Sequence, residues 1–339
     1  MTIRRSGARS DCTLSCTDES RFFKKLPSYG IGTGTSIFLV GATSTGKTAI
    51  AHRIAEATGV SLLSIDSMQV YKKLDIGTAK PSLHERIRYR YGGIDLVDWK
   101  ESFNVFLFIQ WAKEYLFKEL QQKRAILVVG GCGLYFRAMT RGLCAAPAAD
   151  ALLRKSLEKL DKKKLTELLI QIDPLAASSI DCSNPRRVIR AIEVKKCSGI
   201  SIIEWQQKTT FPLVVPSLAF WIDRPKSELE IRLRNRIQSM FEAGWEKETC
   251  MLLEDGGIEA IERCQAIGYK RIGQYLLQRE KNKVKLMEDI FREHCAYGKR
   301  QKTWFKRENS LSYCLLKNEQ EECSFIKSYI EKINFFVRK

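Results

Sequence analysis

Gly41-Ala42-Thr43-Ser44-Thr45-Gly46-Lys47-Thr48 has the spacing G-x-x-x-x-G-K-[ST], and its flanks decide the fold. Ser36-Ile37-Phe38-Leu39-Val40 before it is a short apolar run of strand type. Lys47 to Ala57 after it carries apolar residues at helical spacing, and Gly59 is placed to cap that helix. Strand, glycine loop and helix form a cradle in which backbone N–H groups and a helix N-terminus surround a phosphate. Gly46 lets the backbone approach closely, Lys47 adds a point charge, and the Thr48 hydroxyl can face Mg2+. The loop is therefore a diphosphate- or nucleotide-binding element. Alone, it does not say which phosphate or which reaction.

Working outward, Ser61-Leu62-Leu63-Ser64-Ile65 reads as a buried strand ending at Asp66, and Ala125 to Val129 as another ending at Gly130-Gly131. Residues 104–121 between them have helical periodicity. Asp75 to Pro81 is rich in turn residues, and Ile94 to Val97 is a short strand candidate. Strands alternating with helices predict an α/β fold, a phosphate-loop core whose parallel sheet is covered on both faces. Ligands of such sheets gather at the strand C-terminal ends, where Gly41, Asp66 and Gly130 fall. From residue 143 to 216 the pattern is helical only. A strand returns at Ser217 to Ile222, followed by helices over 227–243, 245–254, 270–278 and 284–302, a strand near 311–316 and a closing helix.

The division expected is a loose extension over 1–35, a core over 36–142, a helical insertion over 143–216, and the second part of the core over 217–339. The extension contains Arg4, Arg5 and Arg9 but also Asp11, Asp18 and Glu19, with no apolar segment of the kind a secretory signal needs. Its Gly30 to Gly34 string is a lead-in to the first strand, not a second nucleotide loop.

Composition is that of an ordinary globular chain, 44% hydrophobic and 28% charged over 339 residues, so disorder is excluded. The charge is less ordinary. Lys+Arg number 57 against 39 Asp+Glu, a net +18 with a pI near 9.4, which favours a polyanionic partner and nucleic acid before a membrane surface. The 11 cysteines are dispersed without a C-x-x-C pair, and only 3 histidines accompany them. That pattern argues against a zinc site and fits a reducing cytoplasm. No apolar run approaches the ~18 residues of a membrane span.

A phosphate-loop ATPase or GTPase places a magnesium-holding acid at the end of a second core strand. Here Ala125-Ile126-Leu127-Val128-Val129 runs into Gly130-Gly131-Cys132-Gly133, with no carboxylate. The acid is instead Asp66, after the strand that follows the first helix. There it can hold a metal, or take a proton from a nucleophile attacking the bound phosphate ester.

The stretch Asp66-Ser67-Met68-Gln69-Val70-Tyr71 through Gly77-Thr78-Ala79-Lys80-Pro81 closely resembles the hallmark of the tRNA dimethylallyltransferase family. Other matches keep the family's order. The loop resembles G-P-T-[AG]-[SV]-G-K-[ST], and Gly130-Gly131-Cys132-Gly133-Leu134-Tyr135 resembles G-G-T-G-L-Y. Asn184-Pro185-Arg186-Arg187-Val188-Ile189-Arg190-Ala191-Ile192-Glu193 resembles N-D-x-x-R-[VL]-x-R-A-[IL]-E. Gln265-Ala266-Ile267-Gly268-Tyr269-Lys270 matches Q-A-I-G-Y-[KR], and Tyr297 to Phe305 resembles Y-A-K-R-Q-x-T-W-[FL]. The resemblance covers about residues 36–307. Departures are Cys132 for threonine, Gly92-Gly93 where histidine is usual, and Phe106-Leu107-Phe108 for A-D-F.

The resemblance implies transfer of a dimethylallyl group from dimethylallyl diphosphate to N6 of the adenosine on the 3′ side of the tRNA anticodon. It assigns Asp66 as general base, with Lys47, Thr48 and Arg236 stabilising the leaving diphosphate and Mg2+ on Thr48. It also implies tRNA contacts at Asp66, Ser67, Met68 and Gln69, at Arg186, Arg187, Val188, Ile189 and Arg190, and at Gln265, Ala266, Ile267, Gly268, Tyr269 and Lys270. Isolated contacts are implied at Gly133 and Lys155, with the helical insertion gripping the anticodon stem-loop and a monomer as the default state. Two rival readings use the same loop: a small-molecule kinase would bind ATP there, and a non-catalytic RNA-binding switch would not need Asp66.

Overall fold

The computed structural model describes residues 36–148, 150–208, 211–278 and 282–337. Expectations about residues 1–35 lie outside the described residues. Five parallel strands, β1 (Ser36–Gly41), β2 (Ser61–Ile65), β3 (Ile126–Gly130), β4 (Leu218–Asp223) and β5 (Ser312–Leu315), form one sheet in the order β2-β3-β1-β4-β5. The first three are mostly apolar and buried at every position because both faces are covered. Phe38 and Val40 of β1, Leu63 and Ile65 of β2, and Val128 of β3 point to one face. There they meet α3 (Val105–Gln121), α4 (Gly133–Arg141) and Phe305. Ile37, Leu39, Leu62, Leu127 and Val129 point to the other, against α1 (Lys47–Thr58) and the closing helix α14 (Glu319–Val337). The alternation is the period of two that a strand imposes.

Between α3 and β2 lies the short α2 (Leu83–Arg88), begun by a capping box in which Ser82 and Glu85 exchange hydrogen bonds. Its helical span is too short to show periodicity. The expected strand at Ile94–Val97 is absent: only an isolated parallel bridge, Tyr71 to Val97, forms there. Asp95 has a φ of 55°, which breaks an extended run.

After α4 come α5 (Ala151–Leu157), α6 (Lys162–Ile172), α7 (Pro174–Ser179), α8 (Pro185–Ser198) and α9 (Ile202–Gln207), packed on a small core of their own around Leu157, Leu165, Leu169, Val188 and Ile192. The chain returns to the core when Leu213 and Val214 donate backbone hydrogen bonds to Met139 of α4. α10 (Lys226–Glu242), α11 (Trp245–Arg263), α12 (Tyr269–Leu277) and α13 (Lys283–Phe305) then build a helical lobe around Trp245 and Tyr269. α11 runs nine residues past the expected 254 but is kinked at Gly257, whose φ is 71°.

Candidate active site

The phosphate loop leaves β1 through Gly41, where a Cβ would stand 2.5 Å from the Ile222 carbonyl oxygen, and turns through Ser44 and Gly46 at φ 64° and 89°. Only residues tolerating the left-handed region can hold such a turn, and Gly46 does so without strain. The Thr45 hydroxyl closes the turn on the Ala42 carbonyl at 2.9 Å. Lys47 Nζ also donates to the Ala42 carbonyl, at 2.5 Å.

Neighbouring elements hold this loop from two sides. Arg224, 2% exposed at the end of β4, donates Nε to the Thr45 carbonyl at 2.8 Å and Nη1 to Glu228 at 2.9 Å; its Nη2 donates to Glu322 of α14. Gln301 of α13 accepts from the Thr43 N–H at 2.9 Å and donates to the Gly131 carbonyl at 3.0 Å.

Asp66 is two strands away, because β3 lies between β1 and β2. The two ends share one space since β3 finishes in glycine. A Cβ on Gly130 would lie 2.6 Å from the Ile65 carbonyl oxygen, and one on Gly131 would lie 2.2 Å from Gln301 Nε2. A cavity of about 390 Å³ opens there, bounded by Thr43, Lys47, Thr48, Asp66 to Gln69, Arg236 and His294. Across it, Arg186 from the insertion donates to the Gln265 side chain, so insertion and core meet at the cavity rim.

The second wall is the turn Asp75–Pro81. Gln69 accepts from Ser64 at 2.8 Å and donates to the Thr78 and Ala79 carbonyls at 3.2 and 3.3 Å. Glu248 accepts from the backbone N–H groups of Asp75, Ile76 and Gly77, and from the Tyr269 hydroxyl at 2.6 Å. Gly77 is a close-approach position, since a Cβ would fall 2.2 Å from Trp245 Nε1.

Electrostatically the cavity is cationic: Lys47, Arg186, Arg236 and Arg300 line it, with Asp66 as the acid among the lining residues. Burial, then the neighbouring Arg236, lowers the pKa of Lys47 to about 7, with Asp66 opposing the shift. Burial also lowers that of Arg236, again against Asp66. Neither cation forms an ion pair with a carboxylate among the described residues. Two desolvated cations sharing one carboxylate are unstable as a set and become stable when a polyanion joins them. The buried Ser44 Oγ and Arg236 Nε have no hydrogen-bond partner among the described residues, which fits the same ligand class.

His294 is neutral: burial beside Arg236 lowers its pKa to about 3. Burial pushes the Cys132 thiol up to about 11, so it is no nucleophile at neutral pH. No group of three or more His, Cys, Asp or Glu that could hold a metal occurs among the described residues. Magnesium in phosphate sites is held chiefly by substrate oxygens, one hydroxyl or carboxylate and water, so Thr48 and Asp66 suit it without such a cluster.

The cavity thus gathers Thr43, Lys47, Thr48, Asp66, Ser67, Met68, Gln69, Arg186, Arg236, Gln265, Ala266 and Ile267. Other expected positions fall elsewhere. Val188 and Ile189 are buried in the insertion core, so their side chains cannot reach an RNA, and helix periodicity is the reason. Tyr269 is fully buried and serves the 75–77 turn, while Gly268 and Gly133 are held tight against Trp245 and Trp304. Arg190 donates to the Pro147 carbonyl at 2.7 Å. Arg187, Lys155 and Lys270 are exposed away from the cavity. Sequence reading assigned no role to Arg224, Glu248, His294, Tyr297, Arg300 or Gln301. The Tyr297–Phe305 motif was the available signal for the last three.

Comparison with known proteins gives a consistent result. A family model described as IPP transferase matches residues 69–308, and one described as isopentenyl transferase matches residues 35–90. The chain is 69% identical over 302 residues to a tRNA dimethylallyltransferase of Methylacidiphilum infernorum, covering 89% of this chain and 92% of that one. It is 37% identical over 292 residues to a tRNA dimethylallyltransferase 2 of Syntrophus aciditrophicus, covering 84% and 93%. Among solved structures it resembles the tRNA isopentenylpyrophosphate transferase of Bacillus halodurans at a TM-score of 0.63 and 29% identity, covering 90% and 97%. A eukaryotic dimethylallyltransferase acting on tRNA shares the fold at a TM-score of 0.71 and 23% identity, covering 87% and 77%.

Proposed function

The chain belongs to the tRNA dimethylallyltransferase family, and from that premise we propose that it moves a dimethylallyl group from dimethylallyl diphosphate to N6 of the adenosine 3′-adjacent to the tRNA anticodon. The observation that carries the reading is the cavity where Lys47 and Arg236 face Asp66 across the glycine end of β3. The cations suit a diphosphate. The carboxylate suits a nucleophile whose proton must be removed.

An adenine amino group is a weak nucleophile because its lone pair is delocalised into the ring. As the N6–C1 bond forms and the C1–O bond breaks, Asp66 takes the N6 proton while charge grows on the departing diphosphate. Lys47, Arg236 and the loop N–H groups stabilise that charge. Mg2+, where bound, would sit on the Thr48 hydroxyl and the diphosphate oxygens and supply further charge neutralisation. The target base leaves its stack to enter, which an anticodon loop permits at small cost. A cytoplasmic monomer fits a tRNA-modifying chain of this charge. Among the described residues no helix is long and apolar enough to cross a membrane.

Incubation with radiolabelled dimethylallyl diphosphate and unmodified tRNA tests the reading, and label in the adenosine beside the anticodon is expected. Asp66→Ala should keep tRNA affinity and lose transfer by about 10²–10⁴-fold, the usual worth of a general base. Phosphate transfer from ATP in place of RNA labelling would return the chain to the kinases.

A further inference from the structure

Resting on the prenyl-diphosphate reading above, we propose that His294 is a ligand of the diphosphate, its imidazole donating a ring N–H to the phosphate that Arg236 binds. His294 is 6% exposed, lines the cavity, and has no hydrogen-bond partner among the described residues at either ring nitrogen. A neutral imidazole carries one donor and one acceptor, and burying both unmet is costly. The chain's other histidines are accounted for differently: His52 is within 3.0 Å of the Tyr91 hydroxyl, and His84 is exposed.

What would satisfy His294 follows from its neighbours. It stands on α13 facing Arg236 on α10, whose own Nε is buried with no partner among the described residues. Arg236 acts electrostatically on both His294 and Lys47, so three helices direct nitrogen groups at one region. A prenyl chain offers no acceptor there. Phosphate oxygens offer several and carry the charge that Arg236 and Lys47 lack. A histidine held neutral adds a hydrogen bond without adding a further positive charge to a cationic site before the ligand arrives.

The test uses the full chain and inorganic pyrophosphate with magnesium, without tRNA. The chain has 3 histidines, so 15N-histidine labelling gives a spectrum simple enough to assign by substitution. Pyrophosphate is expected to move the signal that disappears in His294→Leu. Calorimetry should show that variant binding pyrophosphate about tenfold or more weakly, as for a lost hydrogen bond to a charged group, with His294→Gln recovering most of the loss. An unmoved signal at saturating pyrophosphate, or parental affinity in His294→Leu, overturns the inference and leaves the functional reading intact. A signal that answers only to an anticodon stem-loop also overturns it and gives the residue to RNA. If the parent chain does not bind pyrophosphate, or Lys47→Ala binds it equally well, the functional reading itself fails.

Discussion

Lys47 combines two demands on one ammonium group: it must be buried to act strongly and protonated to act at all. Burial and Arg236 bring its pKa to about 7, below the ordinary 10.5. Between those values the unfolded chain holds the proton and the folded chain has released it, so this residue makes stability rise with pH across that window. Binding runs the opposite way. A diphosphate restores the proton, so affinity is full below about pH 7 and declines above it. Pyrophosphate titrations from pH 6.5 to 9 should show that decline, and Lys47→Arg, whose guanidinium stays charged, should flatten it relative to the parent. Equal slopes in both proteins would remove Lys47 as the titrating group. Cys132 gives a second prediction. Backbone N–H groups of Tyr135 and Leu134 face its sulfur, yet no capping hydrogen bond forms at the start of α4. A hydroxyl accepts better than sulfur, so Cys132→Thr should raise stability by about 0.5–1 kcal/mol in chemical denaturation; a loss would show that the sulfur's packing matters more. The placement of Lys47 and Asp66 at the cavity was legible in the sequence because each follows a strand of local pattern. His294 was not, since its meaning comes from Arg236 on another helix and from what fails to touch it.

At the scale of elements, the phosphate loop keeps its shape through Arg224, which follows β4, and Gln301 from α13, in addition to its own glycines. The strand–loop–helix unit could be read from periodicity and spacing alone. These clamps could not, because a separation of 258 positions between Thr43 and Gln301 leaves no local pattern. The same holds for Glu248, which fixes the 75–77 turn from a helix more than 170 positions later. Gln301 makes the stronger test, as it joins the loop to the end of β3 and so sets the distance between Lys47 and Asp66. Gln301→Leu should leave the Thr43 N–H and Gly131 carbonyl unpaired, at about 1–3 kcal/mol for each if both stay buried. The expected result is a KM for dimethylallyl diphosphate raised about tenfold or more with a smaller fall in tRNA affinity. A variant losing only thermal stability, with KM unchanged, would reduce the residue to packing.

For the whole molecule, the net charge of +18 in the sequence points to a polyanionic partner. It did not say which cations are free to meet one, because pairing is a property of the fold. Arg187 and Arg190 illustrate the difference. Their spacing puts both on one face of α8, and sequence reading treats them alike. In the structure Arg187 is exposed, whereas Arg190 donates to the Pro147 carbonyl at 2.7 Å and lies 3.8 Å from the buried Glu193. Glu193 is in turn held by Arg154 through two hydrogen bonds of 2.8 and 2.7 Å. Arg190 therefore braces the insertion where its chain leaves the core, and Arg187 is the one offered to a phosphate. If Arg187 meets a single phosphate of the anticodon stem, its loss releases about one fewer counterion on binding. Arg187→Ala should then weaken tRNA binding and lower the slope of log affinity against log salt by about 0.7–0.9, measured by filter binding over a range of KCl. Arg190→Ala should leave that slope unchanged and lower the melting temperature instead. A salt slope that drops equally in both variants would mean that tRNA draws Arg190 away from Pro147, and the insertion would then have to rearrange on binding.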